Sequence, residues 1–177
     1  MNDAVAERVP LATAAGTESF ESLYERTFPK VYAYVASLLR DRATAEDVTA
    51  QAFERAYRKR RSYRRGRGSV DAWLFGIARN AALDELRRRR RHASLEVDPE
   101  DTALSTAEDV ERSVRRETVR AAMTRLDGRE RDLLALKFAA GLSNAEIGRV
   151  LGVSESSAGT RLHRAMTKLR EACHDDA

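Results

Sequence analysis

Apolar residues recur every three or four positions along most of the chain, which is the spacing of helices with one buried face. The clearest case is the stretch 143–170, SNAEIGRVLGVSESSAGTRLHRAMTKLR. Ser143 and Glu146 have the spacing of a capping box, and Gly152 suits the left-handed conformation that ends a helix. Ser154 then provides a new N-cap. The pattern predicts two helices joined by a tight turn.

The second of these predicted helices has one apolar face, formed by Ala158, Leu162, Ala165 and Leu169. A recognition helix in the major groove contacts base edges through its N-terminal residues and phosphates through its cations. An ordinary helical hairpin with a solvated charged face has the same pattern, so this stretch alone leaves both interpretations open. The predicted DNA contacts are Ser156, Ser157, Thr160, Arg161, His163, Arg164 and Lys168.

The N-terminal half also has helical spacing, beginning near Thr17. Pro29 interrupts it, and proline is best tolerated in the first turn of a helix. The sequence therefore predicts one helix to Thr27 and a second from about Pro29 to Arg40.

A further helix is predicted to begin at Thr44, which would be its N-cap with Asp47 three residues later. Its inward positions are apolar, and its exposed side is mostly acidic. A polar helix face is usually just solvated, but an acidic face in a basic chain favours docking on a protein over contact with DNA. The residues of this predicted docking face are Glu46, Asp47, Gln51 and Glu54.

A basic segment follows, RKRRSYRRGRG at 58–68, with one aromatic residue, Tyr63. Ser69 is the predicted N-cap of a long helix that ends in five consecutive arginines, Arg87–Arg91. Cations that flank an exposed aromatic ring suit single-stranded or distorted nucleic acid, because bases stack on the ring while the cations follow the backbone. A flexible basic loop with Tyr63 in the core is the alternative, and the segment alone does not separate the two.

From 93 to 113 the charge inverts and the apolar periodicity lapses, which indicates an acidic linker between two domains. Beyond it, Asp127 and Glu130 predict another capped helix that ends at Gly141. No alternation typical of strands is present. We predict an all-α protein of two small helical domains, 17–92 and 114–172, joined by a flexible linker at 93–113 and preceded by a disordered tail at 1–16.

Composition narrows the possible functions. The chain has 177 residues and is 42% hydrophobic, which is enough to form hydrophobic cores. Its 32 basic and 28 acidic residues give a net charge of +4, which fits a polyanionic partner. Cys173 is the only cysteine, and the three histidines are scattered, so we expect no disulfide, metal or cofactor. The N-terminus has the wrong charge for a signal peptide and no segment suits a bilayer span, so we expect a cytoplasmic protein.

Taken in order, the segments from about Phe20 to Glu171 resemble a bacterial RNA polymerase sigma factor of the extracytoplasmic-function (ECF) group of the sigma-70 family. The segments FESLYERTFPKVYAYV, ATAEDVTAQAFERAY and GSVDAWLFGIARNAALDELRRRR resemble sigma domain 2. The segment MTRLDGRERDLLALKFAAGLSNAEIGRVLGVSESSAGTRLHRAMTKLRE resembles sigma domain 4. The AEDV and AWLFGIARN pieces are the specific ones, since a helix-turn-helix occurs in many regulators.

The resemblance implies partners and roles. The acidic helix face would dock on the coiled coil of the polymerase beta-prime clamp, domain 4 would bind the beta flap and the minus-thirty-five element, and the linker would enter a basic channel of the polymerase. Promoter DNA, core polymerase and an anti-sigma factor would be the partners. Domain 2 would hold an unstacked base of the minus-ten element. The implied minus-ten contacts are Tyr63, Arg64, Arg65, Arg67, Ser69, Arg79, Asn80, Arg87 and Arg88.

The sequence departs from the group at three places: Ala50 and Gln51 in the docking helix, Gly128 where proline is common, and Gly159 where the recognition helix commonly has a cation. A LuxR-like regulator is the nearest alternative, because such proteins share the GLSNAEI segment, but it would need an N-terminal receiver or ligand domain. A nuclease or recombinase would need clustered carboxylates or a supported nucleophile, and the sequence has neither. We therefore expect a sigma factor that promotes DNA melting at the start of transcription and is not an enzyme.

Overall fold

Seven α-helices account for most of the part of the chain that the computed structural model describes, residues 10–13, 16–93 and 110–175. The all-α prediction is confirmed, with a small antiparallel hairpin of β1 (Pro10–Thr13) and β2 (Gly16–Ser19) as an addition. The helices are α1 (Phe20–Leu39), α2 (Arg42–Lys59), α3 (Val70–Ala93), α4 (Val110–Thr124), α5 (Gly128–Phe138), α6 (Asn144–Leu151) and α7 (Glu155–Asp175).

Helix α1 is continuous, so the predicted break at Pro29 is wrong. Pro29 lies inside the helix on its exposed side, where water can satisfy the carbonyl that loses its hydrogen bond. Leu23 before the proline and Val31 after it are both fully buried. Since the two halves of the helix pack on one core, tertiary contacts outweigh the local cost of the proline.

Helix α2 begins three residues earlier than predicted, because its N-cap is Asp41 instead of Thr44. The Asp41 carboxylate accepts hydrogen bonds from the Thr44 backbone N–H at 3.2 Å and from the Thr44 hydroxyl at 3.0 Å. These bonds hold the pKa of Asp41 below its usual value. Arg89 of α3 also donates to Asp41, at 3.1 Å, and to the Leu39 carbonyl at 3.0 Å. One of the five consecutive arginines thus fixes the turn between α1 and α2.

The helix starts in the C-terminal part agree with the predicted caps, whereas α5 ends at Phe138 and not at Gly141 as predicted. Capping boxes join Asp127 with Glu130 and Ser143 with Glu146. Gly152 ends α6 in the left-handed conformation at a φ of 70°, and the Ser154 hydroxyl accepts from the Ser157 N–H at 3.1 Å. The predicted helix-turn-helix is therefore present over α6 and α7.

Two segment boundaries differ from the sequence prediction. Helix α4 begins at Val110, so the last residues of the predicted linker, 110–113, are helical, as is its first residue, Ala93. The hairpin occupies 10–13 and 16–19, partly within the predicted disordered tail. The rest of the linker, 94–109, lies outside the described residues.

The helices form two bundles that pack on each other. In the first bundle α1, α2 and α3 are in mutual contact, and in the second bundle α7 packs on α4, α5 and α6. Helix α5 contacts α1 and helix α6 contacts α3 across the junction. A single buried cluster includes Leu23 and Phe75 of the first bundle together with Leu136 and Ile147 of the second. Among the described helices, none has both the length and the hydrophobicity needed to cross a membrane.

Gly148 is required by the turn of the helix-turn-helix, because a Cβ at this position would lie 2.7 Å from the Val153 carbonyl oxygen. We expect Gly148→Ala to lower the free energy of unfolding by about 1–3 kcal/mol, the usual cost of overpacking. Gly128→Ala is the matched control, since a Cβ there meets nothing within 4 Å. Denaturant unfolding followed by circular dichroism would test this, and equal stability of the two variants would contradict it.

Candidate nucleic-acid interface

A cleft of about 520 Å³ opens between the loop before α3, helix α3 itself and helix α6. Its rim carries arginine, serine and asparagine side chains, while Trp73 and Ile77 contribute apolar surface. A cavity with an apolar wall and a cationic rim suits an unstacked base with its attached phosphates. The lining residues are Ser62, Tyr63, Arg64, Arg67, Gly68, Ser69, Ala72, Trp73, Gly76, Ile77, Asn80, Arg149 and Val150.

Tyr63 is buried, so the interpretation that treats it as an exposed stacking ring is wrong. Its side chain is 8% exposed, and its ring lies 5.5 Å from the Trp73 ring between centroids. Its hydroxyl donates to the Gly68 carbonyl at 2.9 Å. Burial raises the pKa of Tyr63, which keeps the hydroxyl protonated as a donor. Tyr63 therefore forms a wall of the cleft and closes the 63–68 loop.

The other predicted single-strand contacts divide into two groups. Arg64, Arg67, Ser69 and Asn80 line the cleft, and Arg65 is exposed in the same loop. Ser69 also caps α3 as predicted, accepting from the Ala72 N–H at 3.1 Å. The structure thus brings together the loop residues and Asn80 from the third turn of α3.

The remaining predicted contacts, Arg79, Arg87 and Arg88, are engaged in ion pairs outside the cleft lining. Their partners are Asp132 at 2.7 Å, Asp84 at 3.1 Å and Glu85 at 2.8 Å, respectively. Arg87 and Arg88 are exposed and pair only along their own helix, so these pairs are weak. Arg79 differs, because its partner lies in the second bundle.

Helix α7 presents a polar face opposite its buried one. Ala158, Leu162 and Ala165 pack inward. The predicted DNA contacts Ser156, Thr160, Arg161, His163 and Arg164 are exposed, Ser157 is half-buried, and the exposed Lys168 contacts Glu130 of α5. This is the arrangement that major-groove insertion requires.

Gly159 lies on the side of α7 that faces α6. A Cβ at this position would come within 3.3 Å of the Asn144 side-chain nitrogen. The position where the recognition helix commonly has a cation is therefore a glycine here, at a point where α6 and α7 pack closely.

The predicted docking face of α2 is exposed along its length. Glu46, Asp47, Gln51 and Glu54 all face solvent, while Val48 and Phe53 on the other side are buried. Glu46 and Glu54 pair with Arg42 and Arg58 of the same helix. Such exposed pairs contribute little stability and exchange readily for pairs with a partner.

A buried polar cluster at the junction of the bundles was missed by the sequence analysis. Asp132 of α5 is 4% exposed and accepts from the Tyr34 hydroxyl and from the Arg79 guanidinium, each at 2.7 Å. Burial, reinforced by the Asp132 charge, raises the pKa of Tyr34 well above its usual value, so the hydroxyl stays a donor. The available signal was spacing: Asp132 shares a helix face with the fully buried Leu136.

Helix α6 also contributes to the cleft, which the sequence analysis did not foresee. The Ser69 hydroxyl contacts the Glu146 carboxylate, and the Arg149 side chain lies within 3.2 Å of where a Cβ on Gly68 would be. Burial opposes ionisation of Glu146, but the hydrogen bonds from Ser69 and Ser143 outweigh it and hold the pKa of Glu146 below its usual value. Glu146 is therefore a carboxylate at the rim of the cleft.

Within the described ranges, no group of three or more His, Cys, Asp or Glu side chains is placed to hold a metal ion. The predicted nucleic-acid contacts lie on two candidate surfaces: the exposed face of α7, and the cleft around Asn80, which α3 and its preceding loop form together with α6. The exposed face of α7 has the features of a duplex-binding surface, and the cleft has those of a single-strand-binding surface.

The comparisons with known proteins identify the family. The sigma-70 region 2 model matches residues 23–92, and the sigma-70 region 4 model matches residues 116–169. The chain belongs to the ECF group of RNA polymerase sigma factors.

Several curated relatives match over most of the chain. The sigma factor CarQ of Myxococcus xanthus is 36% identical over 157 residues, covering 87% of this chain and 88% of CarQ. The ECF sigma factor SigL of Mycobacterium tuberculosis is 31% identical over 165 residues, covering 92% and 93%. The ECF sigma factor BldN of Streptomyces coelicolor is 31% identical over 175 residues, covering 97% of this chain but 66% of BldN.

Two solved structures share the fold. The sigma factor RpoE of Bartonella quintana, solved with the anti-sigma factor NepR, is 24% identical with a TM-score of 0.69 and covers 89% of this chain and 98% of its own. The structure of CnrH in complex with the cytosolic domain of CnrY is 25% identical with a TM-score of 0.66, covering 89% of both chains.

The Tyr63 hydroxyl closes the cleft loop, so its removal should loosen that loop. We expect Tyr63→Phe to lower the free energy of unfolding by about 0.5–1.5 kcal/mol, the net value of one hydrogen bond, and to speed amide exchange over 64–68. Tyr57→Phe is the matched control, because Tyr57 is 44% exposed and is held by ring contacts that phenylalanine keeps. Unchanged exchange over 64–68 in Tyr63→Phe would contradict the assigned role.

Proposed function

We propose that this chain is an alternative sigma factor that binds core RNA polymerase, recognises the minus-ten and minus-thirty-five promoter elements, and promotes DNA melting to start transcription. Membership of the ECF group supports it. The single observation that supports the assignment of roles is that the predicted minus-ten contacts all lie in the first bundle and the predicted minus-thirty-five contacts all lie on α7 of the second, and these bundles match regions 2 and 4 respectively.

The exposed face of α7 binds the minus-thirty-five element as duplex DNA. Thr160 and Arg164 lie one turn apart on this face and reach base edges and phosphates in the major groove. Ser156 and Ser157 at the start of the helix are placed for the base contacts that a recognition helix makes with its N-terminal residues. Arg161, His163 and Lys168 add contacts to the phosphates.

The cleft binds the minus-ten element as separated strands. Extruding a base costs a few kcal/mol, so a site that holds the extruded base stabilises the melted state without ATP. Asn80 offers an amide that pairs with a base edge, Trp73 and Tyr63 form the wall, and Arg64, Arg65 and Arg67 neutralise the backbone. Arg79, Arg87 and Arg88 continue the cationic surface along α3.

The acidic face of α2 docks on the coiled coil of the beta-prime clamp, and the second bundle binds the beta flap. Exposure of Glu46, Asp47, Gln51 and Glu54 supports the first contact. The acidic segment 93–113 enters a basic channel of the polymerase by charge complementarity. An anti-sigma factor is a further partner, as for RpoE, and the cytoplasm, where core polymerase acts, is the compartment.

The LuxR-like alternative is not supported, because the N-terminal half matches sigma-70 region 2 and its described helices α1–α3 form a bundle instead of a receiver fold. The group consists of transcription initiation factors, and we propose that this chain likewise acts by binding and not by catalysis.

Reconstitution tests the function directly. The purified chain is added to core RNA polymerase with a library of promoter-containing DNA fragments, and transcript 5′ ends are mapped. We expect specific starts that depend on the chain and share upstream elements about 25 base pairs apart, as the names of the two elements require. Starts that are absent, or identical with core enzyme alone, would contradict the proposal.

Two sets of variants separate the two DNA surfaces. Arg164→Ala should weaken binding to a minus-thirty-five duplex by roughly tenfold, as loss of one good side-chain contact does, and spare polymerase binding.

Asn80→Ala should leave closed-complex formation intact but reduce open complexes, measured as permanganate reactivity of melted thymines. Glu171→Ala, on the exposed side of α7 near its end, is the control for both. Unchanged thymine reactivity in Asn80→Ala would contradict the role of the cleft.

A further inference from the structure

The basic segment 58–68 does have an exposed aromatic neighbour, but that residue is Tyr57 and not Tyr63. Tyr57 is 44% exposed, whereas Tyr63 is 8% exposed. Tyr57 lies near the end of α2, and the cations of the segment begin at the next residue. An exposed ring beside consecutive cations suits single-stranded nucleic acid, because bases stack on the ring while the cations follow the backbone.

Two contacts fix the orientation of the Tyr57 ring. The Arg60 guanidinium lies 4.0 Å from the ring centroid and also donates to the Tyr57 carbonyl at 2.7 Å. The Phe20 ring of α1 meets the Tyr57 ring at an interplanar angle of 73°, with 5.2 Å between the centroids. The ring is therefore held in place before a ligand binds, so that stacking a base on its exposed surface costs little side-chain entropy.

The charge of α2 changes sign near the end of the helix. The predicted docking face, whose last residue is Glu54, is mostly acidic, whereas residues 58–61 are all basic. Arg58 pairs with Glu54 at 2.6 Å. Lys59 and Arg61 are exposed and have no carboxylate partner among the described residues. This end of the helix therefore favours a polyanion, and not the partner that the acidic face fits.

A short turn over residues 60–62 joins this end of α2 to the cleft. Ser62 of the turn lines the cleft, and the guanidinium of Arg64, another lining residue, donates to the Arg61 carbonyl at 2.9 Å. The five residue steps from Tyr57 to Ser62 span at most about 18 Å. A strand that leaves the cleft can therefore reach the ring within a few nucleotides.

We propose that Tyr57, Lys59 and Arg61 form a second single-strand contact, the stacking site, which binds the DNA strand where it leaves the cleft. A base stacks on Tyr57, Arg60 holds the ring, and the other two cations neutralise the adjacent phosphates. Every base has a π-face, so the stacking site adds affinity for a melted strand and no base preference. The promoter origin of the strand rests on the proposed function, whereas the affinity for single-stranded DNA does not.

Fluorescence anisotropy of the full chain with a labelled oligothymidine of about 12 nucleotides tests the stacking site. We expect Tyr57→Leu to weaken binding by about tenfold, as loss of one stacked base does, without changing the dependence on salt. Tyr57→Phe keeps the π-face and should bind like the unaltered chain. Tyr24→Leu is the matched control and should also bind normally, because Tyr24 is 42% exposed but is flanked in α1 by Glu21 and Glu25.

The salt dependence tests the two cations separately from the ring. Lys59→Gln and Arg61→Gln should each reduce the slope of log affinity against log salt concentration by about 0.7, the value for one phosphate on a single strand. Lys30→Gln, at an exposed position of α1, is the control and should leave the slope unchanged. Unaltered slopes in both cation variants would overturn the phosphate contacts. Normal affinity of Tyr57→Leu, or an equal loss in Tyr24→Leu, would overturn the stacking of a base on Tyr57.

Binding to core RNA polymerase separates the two proposed partners of α2. Tyr57→Leu should bind core polymerase like the unaltered chain, and a loss confined to polymerase binding would assign the ring to the docking face and overturn the stacking site. If the chain directs specific starts but Tyr57→Leu keeps its single-strand affinity, sigma activity stands and the stacking site is wrong. If single-strand affinity depends on Tyr57 yet no promoter is used, the stacking site stands and the promoter function is wrong.

Discussion

A carboxylate buried between the two bundles sets the arrangement of the whole molecule. Asp132 is buried away from water, and an unpaired charge would be strongly unfavourable in that environment. Its carboxylate is stabilised by the neutral hydroxyl of Tyr34 and by the cation of Arg79. The apolar contacts around it are non-directional, whereas these hydrogen bonds form only in a narrow range of positions of α5 relative to α1 and α3. The junction places α6 against the cleft beside α3.

The consequence is that the two proposed DNA surfaces differ in accessibility. The recognition face of α7 points to solvent in the same state in which the cleft is bounded by α6. Glu146 makes contacts in both bundles, since its carboxylate completes the capping box of α6 and also contacts Ser69 of the cleft. A residue in the first turn of α6 therefore also contributes one contact between the bundles.

The arginines show how the same side chain serves different purposes by position. Arg89 bonds to Asp41 and Leu39 and holds the turn between α1 and α2, while its neighbours Arg87 and Arg88 remain exposed. Successive helical residues are rotated by about 100°, so one arginine in a run faces the core and the next faces solvent. Their stems add apolar contact as well as charge.

Much of this protein could be predicted from sequence because local rules decide it. The capping boxes at Asp127 and Ser143, the left-handed Gly152 and the N-cap at Ser69 each depend on residues within three positions of one another, and all were predicted correctly. The predictions for Pro29 and Thr44 failed for one reason: a local preference was outweighed by packing, of α1 across its proline and of Arg89 on Asp41. Burial of Tyr63 likewise depends on Trp73, ten residues away on another element.

The sequence by itself therefore determined the helical class, the helix-turn-helix and the kinds of residue offered to DNA, since periodicity and capping are short-range. Only the tertiary structure decided which of those residues share a cleft, which arginine turns inward, and that Asp132 meets Tyr34 across 98 positions of sequence. Such long-range contacts depend on how the two bundles pack, and no local sequence pattern identifies the partner of a buried charge. Asp132 has the spacing of a core position, but its partners became evident only when three helices were brought together.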